Sequence, residues 1–208
     1  MEDKFYFAGV LGCLARTYGL DGSWWGAFQT GQDAESLMKE VLEEDPEFYD
    51  AYLMLGMFEY FADRMSGITS FIASILGFSG DRDIGLEHIN LAYEKGSSAT
   101  FGQASLILIE ILTRMEENKF SSIPYFERFL EKYPNNYRIK SWYGRELLST
   151  WNYDKAKVLI ETDSLNIVDV SIKANYYSGI GNREKALELC RMALENKDTY
   201  YSRVTRNI

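Results

Sequence analysis

Proline is scarce in this chain, three residues in 208, so long stretches are free to be helical. A proline inside a helix would remove a backbone donor and clash with the preceding turn. Two of the three, Pro46 and Pro134, stand at apparent helix starts, where a missing N–H costs nothing. Cysteine is limited to Cys13 and Cys190. They form no metal-like spacing, and their apolar helical contexts predict two buried free thiols. The single histidine, His88, lies mid-helix in GLEHINLAYEK with no second histidine or nucleophile at useful spacing, which predicts neither catalysis nor metal binding. Carboxylates at 43–45 and 47 bunch at a helix boundary, where acids favour the following N-terminus. No apolar run reaches the ~20 residues of a membrane-spanning helix. Basic charge is short as well. A net charge of −9 argues against nucleic acid as a partner, because phosphate binding needs a basic face.

No charged segment followed by an apolar core opens the chain, so no signal peptide is visible. FYFAGVLGCLARTYG nevertheless starts almost at once and reads as an interior helix without a cap. The expectation is that an N-terminal piece is missing. The compartment then stays open between cytoplasm and, if a signal sequence was removed, periplasm.

What is present is helical periodicity, with fifteen tyrosines and twelve phenylalanines suited to helices packing over large areas. Helices are expected over 3–20, 24–44, 47–62, 82–95, 99–117, 120–132, 136–149, 152–162, 166–179 and 182–196. Phe5, Val10, Leu11 and Leu14 form the expected core stripe of the first; Tyr52, Leu55, Phe58 and Phe61 form that of the third. Ser23 and Asp81 are expected N-caps; the latter explains GFSGDRD, which lacks the Lys-Ser/Thr ending and preceding strand of a phosphate loop. The segment EDPEFYDAYLMLGMFEYF recurs in grammar as EKYPNNYRIKSWYGRELL, with Gly56 and Gly144 where two helices must approach closely. Ser122, Ala156 and Ala186 mark the same position of successive units, spaced thirty-four and thirty residues apart. That is the period of a helix-turn-helix repeat.

Small Gly56, Gly144 and Ala174, aromatic Tyr153, alanines 156, 186 and 193, and Pro46 and Pro134 together resemble the tetratricopeptide repeat (TPR) superfamily. The resemblance covers most of 4–197. It implies an all-α, right-handed superhelical solenoid of about five helix pairs, forming a single domain over 1–208. The run DPEFYDAYLMLGMFEYFAD, an apolar insertion and GDRDIGLEHINLAYEKG is further similar to poorly characterised bacterial TPR proteins. More loosely, it resembles the eukaryotic tetratricopeptide-domain-39 and inclusion-body-clearance family. Two departures stand out: the insertion at 65–81 and Glu110, where a small residue is expected. Residues 199–208 read as a terminal cap or truncated helix.

The resemblance implies a non-enzymatic scaffold that binds a protein or peptide segment in a concave groove, without cofactor or metal. Repeat phase lines that groove with Leu53, Met57, Tyr60, Ile107, Ile111, Arg114, Arg138, Ser141, Arg145 and Asn175, and also with Ser171 and Ser178. Arg114, Arg138 and Arg145 would grip a carboxylate through paired charge-assisted hydrogen bonds. The competing reading pairs these arginines with Glu110 and Glu146 on a solvated face. The insertion carries Ile68, Phe71, Ile72, Ile75 and Phe78 on one stripe, either extra core or a partner contact. Trp24-Trp25 is a further exposed-contact candidate. Two alternatives follow: an assembly subunit that self-associates through the insertion or the array ends, and a binder of a small apolar ligand or lipid.

Overall fold

The computed structural model of the chain describes residues 1–64, 80–163 and 169–195. Ile68, Phe71, Ile72, Ile75 and Phe78 of the insertion, and the 199–208 segment, lie outside the described residues. All regular structure among the described residues is helical: α1 (Glu2–Leu20), α2 (Trp24–Glu44), α3 (Asp50–Asp63), α4 (Arg82–Lys95), α5 (Ser98–Glu110), a wide turn of π-helix (Ile111–Met115), α6 (Lys119–Lys132), α7 (Tyr137–Ser149), α8 (Tyr153–Glu161), α9 (Val170–Gly179) and α10 (Arg183–Glu195). The chain packs as two compact units, Met1–Leu108 and Ile109–Ile208.

In the first unit α1 packs on α2, α2 on α3, and α3 on α4. Ala8, Met38, Val41, Ala51 and Leu55 form its core, flanked by Phe5, Leu37, Phe48 and Met54. The α3–α4 seam is built on two glycines. A Cβ on Gly56 would sit 2.6 Å from the Gly85 carbonyl oxygen, and one on Gly85 would sit 2.5 Å from the Tyr60 nitrogen. Asp81 caps α4 through bonds from Asp83 N and Ile84 N at 2.9 and 3.0 Å. Ser23 holds the N-cap position of α2, but its side chain makes no capping hydrogen bond. Pro46 lies in the turn before α3, not in its first helical turn.

Three sequence expectations need correction here. Val10 and Leu14 are 62% and 40% exposed and Phe61 38%, so they are not core: the inward side of α1 is the small-residue side, with Ala8 and Ala15 buried. Cys13 and Cys190 are free but both exposed, because each lies on the outer side of its helix.

In the second unit α6 packs on α7, α7 on α8 and α9, and α9 on α10. The core joins Ile109, Ile123, Phe126, Phe129, Ile139, Tyr143, Leu147, Ala156 and Tyr176. Ser122, Ala156 and Ala186 are all buried, as their common repeat phase requires. Gly144 lets Ile172 approach: a Cβ there would lie 2.9 Å from the Ile172 Cγ2.

The helix-pair turns share one geometry. Gly22, Trp151 and Gly181 have φ of 77°, 58° and 82°. The next residue's N–H then bonds a carbonyl five positions back, Ser23 to Tyr18, Asn152 to Leu147 and Asn182 to Tyr177, each at 2.8 Å. Glu117 holds the equivalent place with φ 50°, but Asn118 reaches six back, to Leu112, at 2.8 Å. The π-turn just before it accommodates the extra residue, so the turn keeps its form. Trp151 is thus a large side chain in a left-handed position where two of its three counterparts, Gly22 and Gly181, are glycine. Left-handed backbone costs a non-glycine residue roughly 1–2 kcal/mol, and the ring, 79% exposed, has little packing to lose. Trp151→Gly should therefore raise stability by about 0.5–1 kcal/mol net of the added chain entropy, read as a higher urea midpoint.

Candidate functional site

The candidate site is built on α7. The Asn136 side chain accepts the Ile139 N–H at 3.2 Å and starts the helix. Ile139, Tyr143 and Leu147 then point into the core. Arg138, Trp142 and Arg145, four and three positions apart, share another face. Both arginines are exposed and Trp142 is half-buried.

Trp142 organises this face. Its Nε1 donates to Glu146 Oε1 at 3.2 Å. The Arg114 guanidinium lies 5.0 Å from its ring centroid, within the range of a cation–π contact. The π-turn carries Arg114: Glu116 N bonds Ile111 O at 2.9 Å, and the Thr113 hydroxyl donates to the Ile109 carbonyl oxygen at 2.7 Å. Arg138 stacks on Tyr137, with Nε donating to its hydroxyl at 3.0 Å. Sequence periodicity does not select Trp142. The legible signal is the Trp-x-x-x-Glu spacing of 142 and 146, which allows the indole to be anchored by the carboxylate one turn on.

The counter-ion question divides by residue. Arg114 pairs with Glu110 at 3.1 Å. Glu146 is occupied otherwise: it accepts from Trp142 and from Ser149 Oγ at 3.1 Å, and Lys119 Nζ lies 3.5 Å away. Arg145 has no ion pair among the described residues. On the neighbouring α9, Ser171, Asn175 and Ser178 are exposed, while Lys173 is paired with the buried Asp163 at 3.1 Å. Ser141 is 3% exposed and works between helices: its Oγ accepts the Asp169 N–H at 3.3 Å, and the Asp169 carboxylate caps Ser171 N at 2.7 Å. Behind the face, Tyr143 donates to Glu127 Oε1 at 2.8 Å, which also takes Lys155 Nζ at 2.7 Å. Burial, then that carboxylate, pushes the Tyr143 phenol well above its ordinary range, so it stays a donor.

The apolar groove residues fare differently. Ile111 in the second unit and Tyr60 in the first are fully buried, and Leu53 is nearly so. A buried side chain offers a ligand no area, so these pack their own units. Met57 and Ile107 are half-buried.

His88 lies 2.7 Å from Glu59 through Nδ1 and Oε2, with the Tyr52 ring 5.1 Å from the imidazole. Burial pushes the Glu59 carboxyl above its ordinary 4.5, with His88 pulling the other way. The folded state therefore holds this proton to higher pH than the unfolded chain. Its stabilising effect is complete below pH 4.5 and is lost as pH rises through the folded-state pKa. Urea midpoints of wild type minus Glu59→Gln should accordingly fall with rising pH above that value; a flat difference would contradict the burial argument. No group of three or more His, Cys, Asp or Glu among the described residues could hold a metal ion. No described helix is long and apolar enough to cross a membrane.

No family model matches the chain, and no curated protein matches it. Among solved structures it is similar to YrrB, a TPR protein with an unusual peptide-binding site. The identity is 17%, the match covers 95% of this chain and 91% of that one, and the TM-score is 0.54. At that identity the likeness concerns the fold, and the fold is of the all-α TPR type.

Proposed function

We propose that this TPR-fold chain is a non-enzymatic interaction scaffold and that α7 of the second unit is its contact face. The occupant is a protein segment bearing a carboxylate, an acidic side chain or a chain end. The observation that carries this reading is the Arg114–Trp142 stack beside Arg138 and the ion-pair-free Arg145, a basic and aromatic patch on a protein of net charge −9. Guanidinium forks bind carboxylates through two parallel hydrogen bonds, and an aromatic platform holds the fork in place before the ligand arrives. Asn175 on α9 adds a donor and an acceptor for the ligand backbone. A finer kinship, to bacterial TPR proteins loosely like the tetratricopeptide-domain-39 family, is proposed on the DPEFYDAYLMLGMFEYFAD run.

A peptide array tests the occupant's chemistry. Segments ending in a free carboxylate or rich in Asp and Glu should be retained, and their amidated, Asn- and Gln-substituted counterparts should not. Equal retention of both sets would remove the carboxylate from the reading.

A further inference from the structure

The outer side of α1 is apolar and uncovered. Tyr6, Phe7, Val10 and Leu14 are 67%, 58%, 62% and 40% exposed, and their spacing of three and four places them on one face. The opposite side of the same helix is already used, with Ala8 and Ala15 buried and Phe5 packed against the first unit's core. No lysine, arginine or glutamate interrupts the outer stripe between Tyr6 and Leu14. We infer that this face is where a second copy of the chain docks, α1 against α1, antiparallel about a two-fold axis through Val10.

Two observations point to this occupant. The first is extent. These four side chains present on the order of 400 Å² of apolar surface. A standard interface buries about 800 Å² a side, of which a homodimer makes about two-thirds apolar. The patch therefore supplies most of what a modest homodimer requires. The second is self-complementarity. Reading outward from Val10, the aromatics Tyr6 and Phe7 lie on the N-terminal side, and Leu14 and Cys13 lie at matching distances on the C-terminal side. A reversed copy brings same-flank positions together and so sets Tyr6 against the partner's Cys13 and Phe7 against the partner's Leu14, bulky ring against smaller side chain at each step. Glu2 and Arg16 share one flank of α1 near its two ends, and same-flank positions meet in an antiparallel pair. Glu2 of each copy thus approaches Arg16 of the partner's α1. Neither residue makes an ion pair among the described residues. A two-fold interface needs this property, one patch that complements itself when reversed. The inference does not rest on the α7 reading.

Light scattering across a micromolar concentration series, on the full chain, tests it. Wild type should pass from monomer to dimer. Val10→Glu should remain monomeric with unchanged circular dichroism, since Val10 is exposed. Glu2→Arg and Arg16→Glu should each weaken the dimer about tenfold, and the double swap should restore it. With Cys13 and Cys190 replaced by serine, Val10→Cys should form an intermolecular disulfide under mild oxidation, because the axis brings the two copies of position 10 together. Glu2→Cys, far from the axis, should not. A wild type that is monomeric throughout overturns the proposal, as does a dimer indifferent to Val10→Glu. Cross-linking at position 2 in place of position 10 overturns the antiparallel register.

Discussion

Replacing Gly56 by alanine is expected to destabilise the first unit by roughly 1–2 kcal/mol, although alanine is the better helix former. The reason is where the new methyl lands. Its nearest neighbours would be the Gly85 carbonyl oxygen at 2.6 Å and the Ile89 nitrogen at 2.8 Å. Both are backbone atoms of α4, which no rotamer change can move aside. The helices must separate, and overpacking of this kind costs about 1–3 kcal/mol or more. The helix-propensity gain of about 1 kcal/mol offsets only part of it. Gly31→Ala is the matched contrast. It too is buried in a helix interior, but its Cβ would meet nothing closer than the Phe58 ring at 3.7 Å, an ordinary contact. There the propensity term prevails, and stability should rise by about 0.5–1 kcal/mol. Urea midpoints of the two variants should move in opposite directions. A shared direction would mean the α3–α4 seam is looser than described.

The second large effect is on binding. The double variant Arg138→Glu/Arg145→Glu should lose affinity for an array-selected acidic peptide by more than a hundredfold. Each charge-assisted hydrogen bond contributes about 1.5–3 kcal/mol, and 1.4 kcal/mol is tenfold. Two lost forks exceed that threshold before the new repulsion is counted. The fold should be unaffected, because both side chains are exposed and Glu146, the nearby acid, is held by Trp142, Ser149 and Lys119 instead. Calorimetric titration beside a thermal melt separates the two effects. Retained affinity would show that α7 is not the contact face, whatever the peptide's chemistry.

The helix pairs were legible because repeat signals are local. Gly56 and Gly144 each answer a packing constraint imposed by a residue about thirty positions on, Gly85 and Ile172, and with Ser122, Ala156 and Ala186 they all sit buried as that phase requires. The π-turn at Ile111–Met115 was not legible, since a one-residue excess is visible only once the carbonyl bonded by Asn118 is known. Trp142 was missed for a related reason. Its neighbours on the face, Arg114 and Glu146, come from a non-adjacent helix and from one turn along, and apolar periodicity weighs neither. The groove positions Tyr60 and Ile111 show the converse. Repeat phase sets a direction along the helix, but burial depends on what fills the neighbouring space. Val10, Leu14 and Cys13 look interior in the sequence because apolar residues at helical spacing look alike whether or not a partner is present.

The most direct test of the central claim is hydroxyl-radical footprinting of the four tryptophans with and without an array-selected acidic peptide. Trp142 oxidation should fall on peptide addition. Trp24 and Trp25, exposed on α2, and Trp151, exposed in its turn, should be unchanged and serve as internal controls. Protection of Trp24 and Trp25 with Trp142 unaffected would contradict the account and place the ligand away from α7.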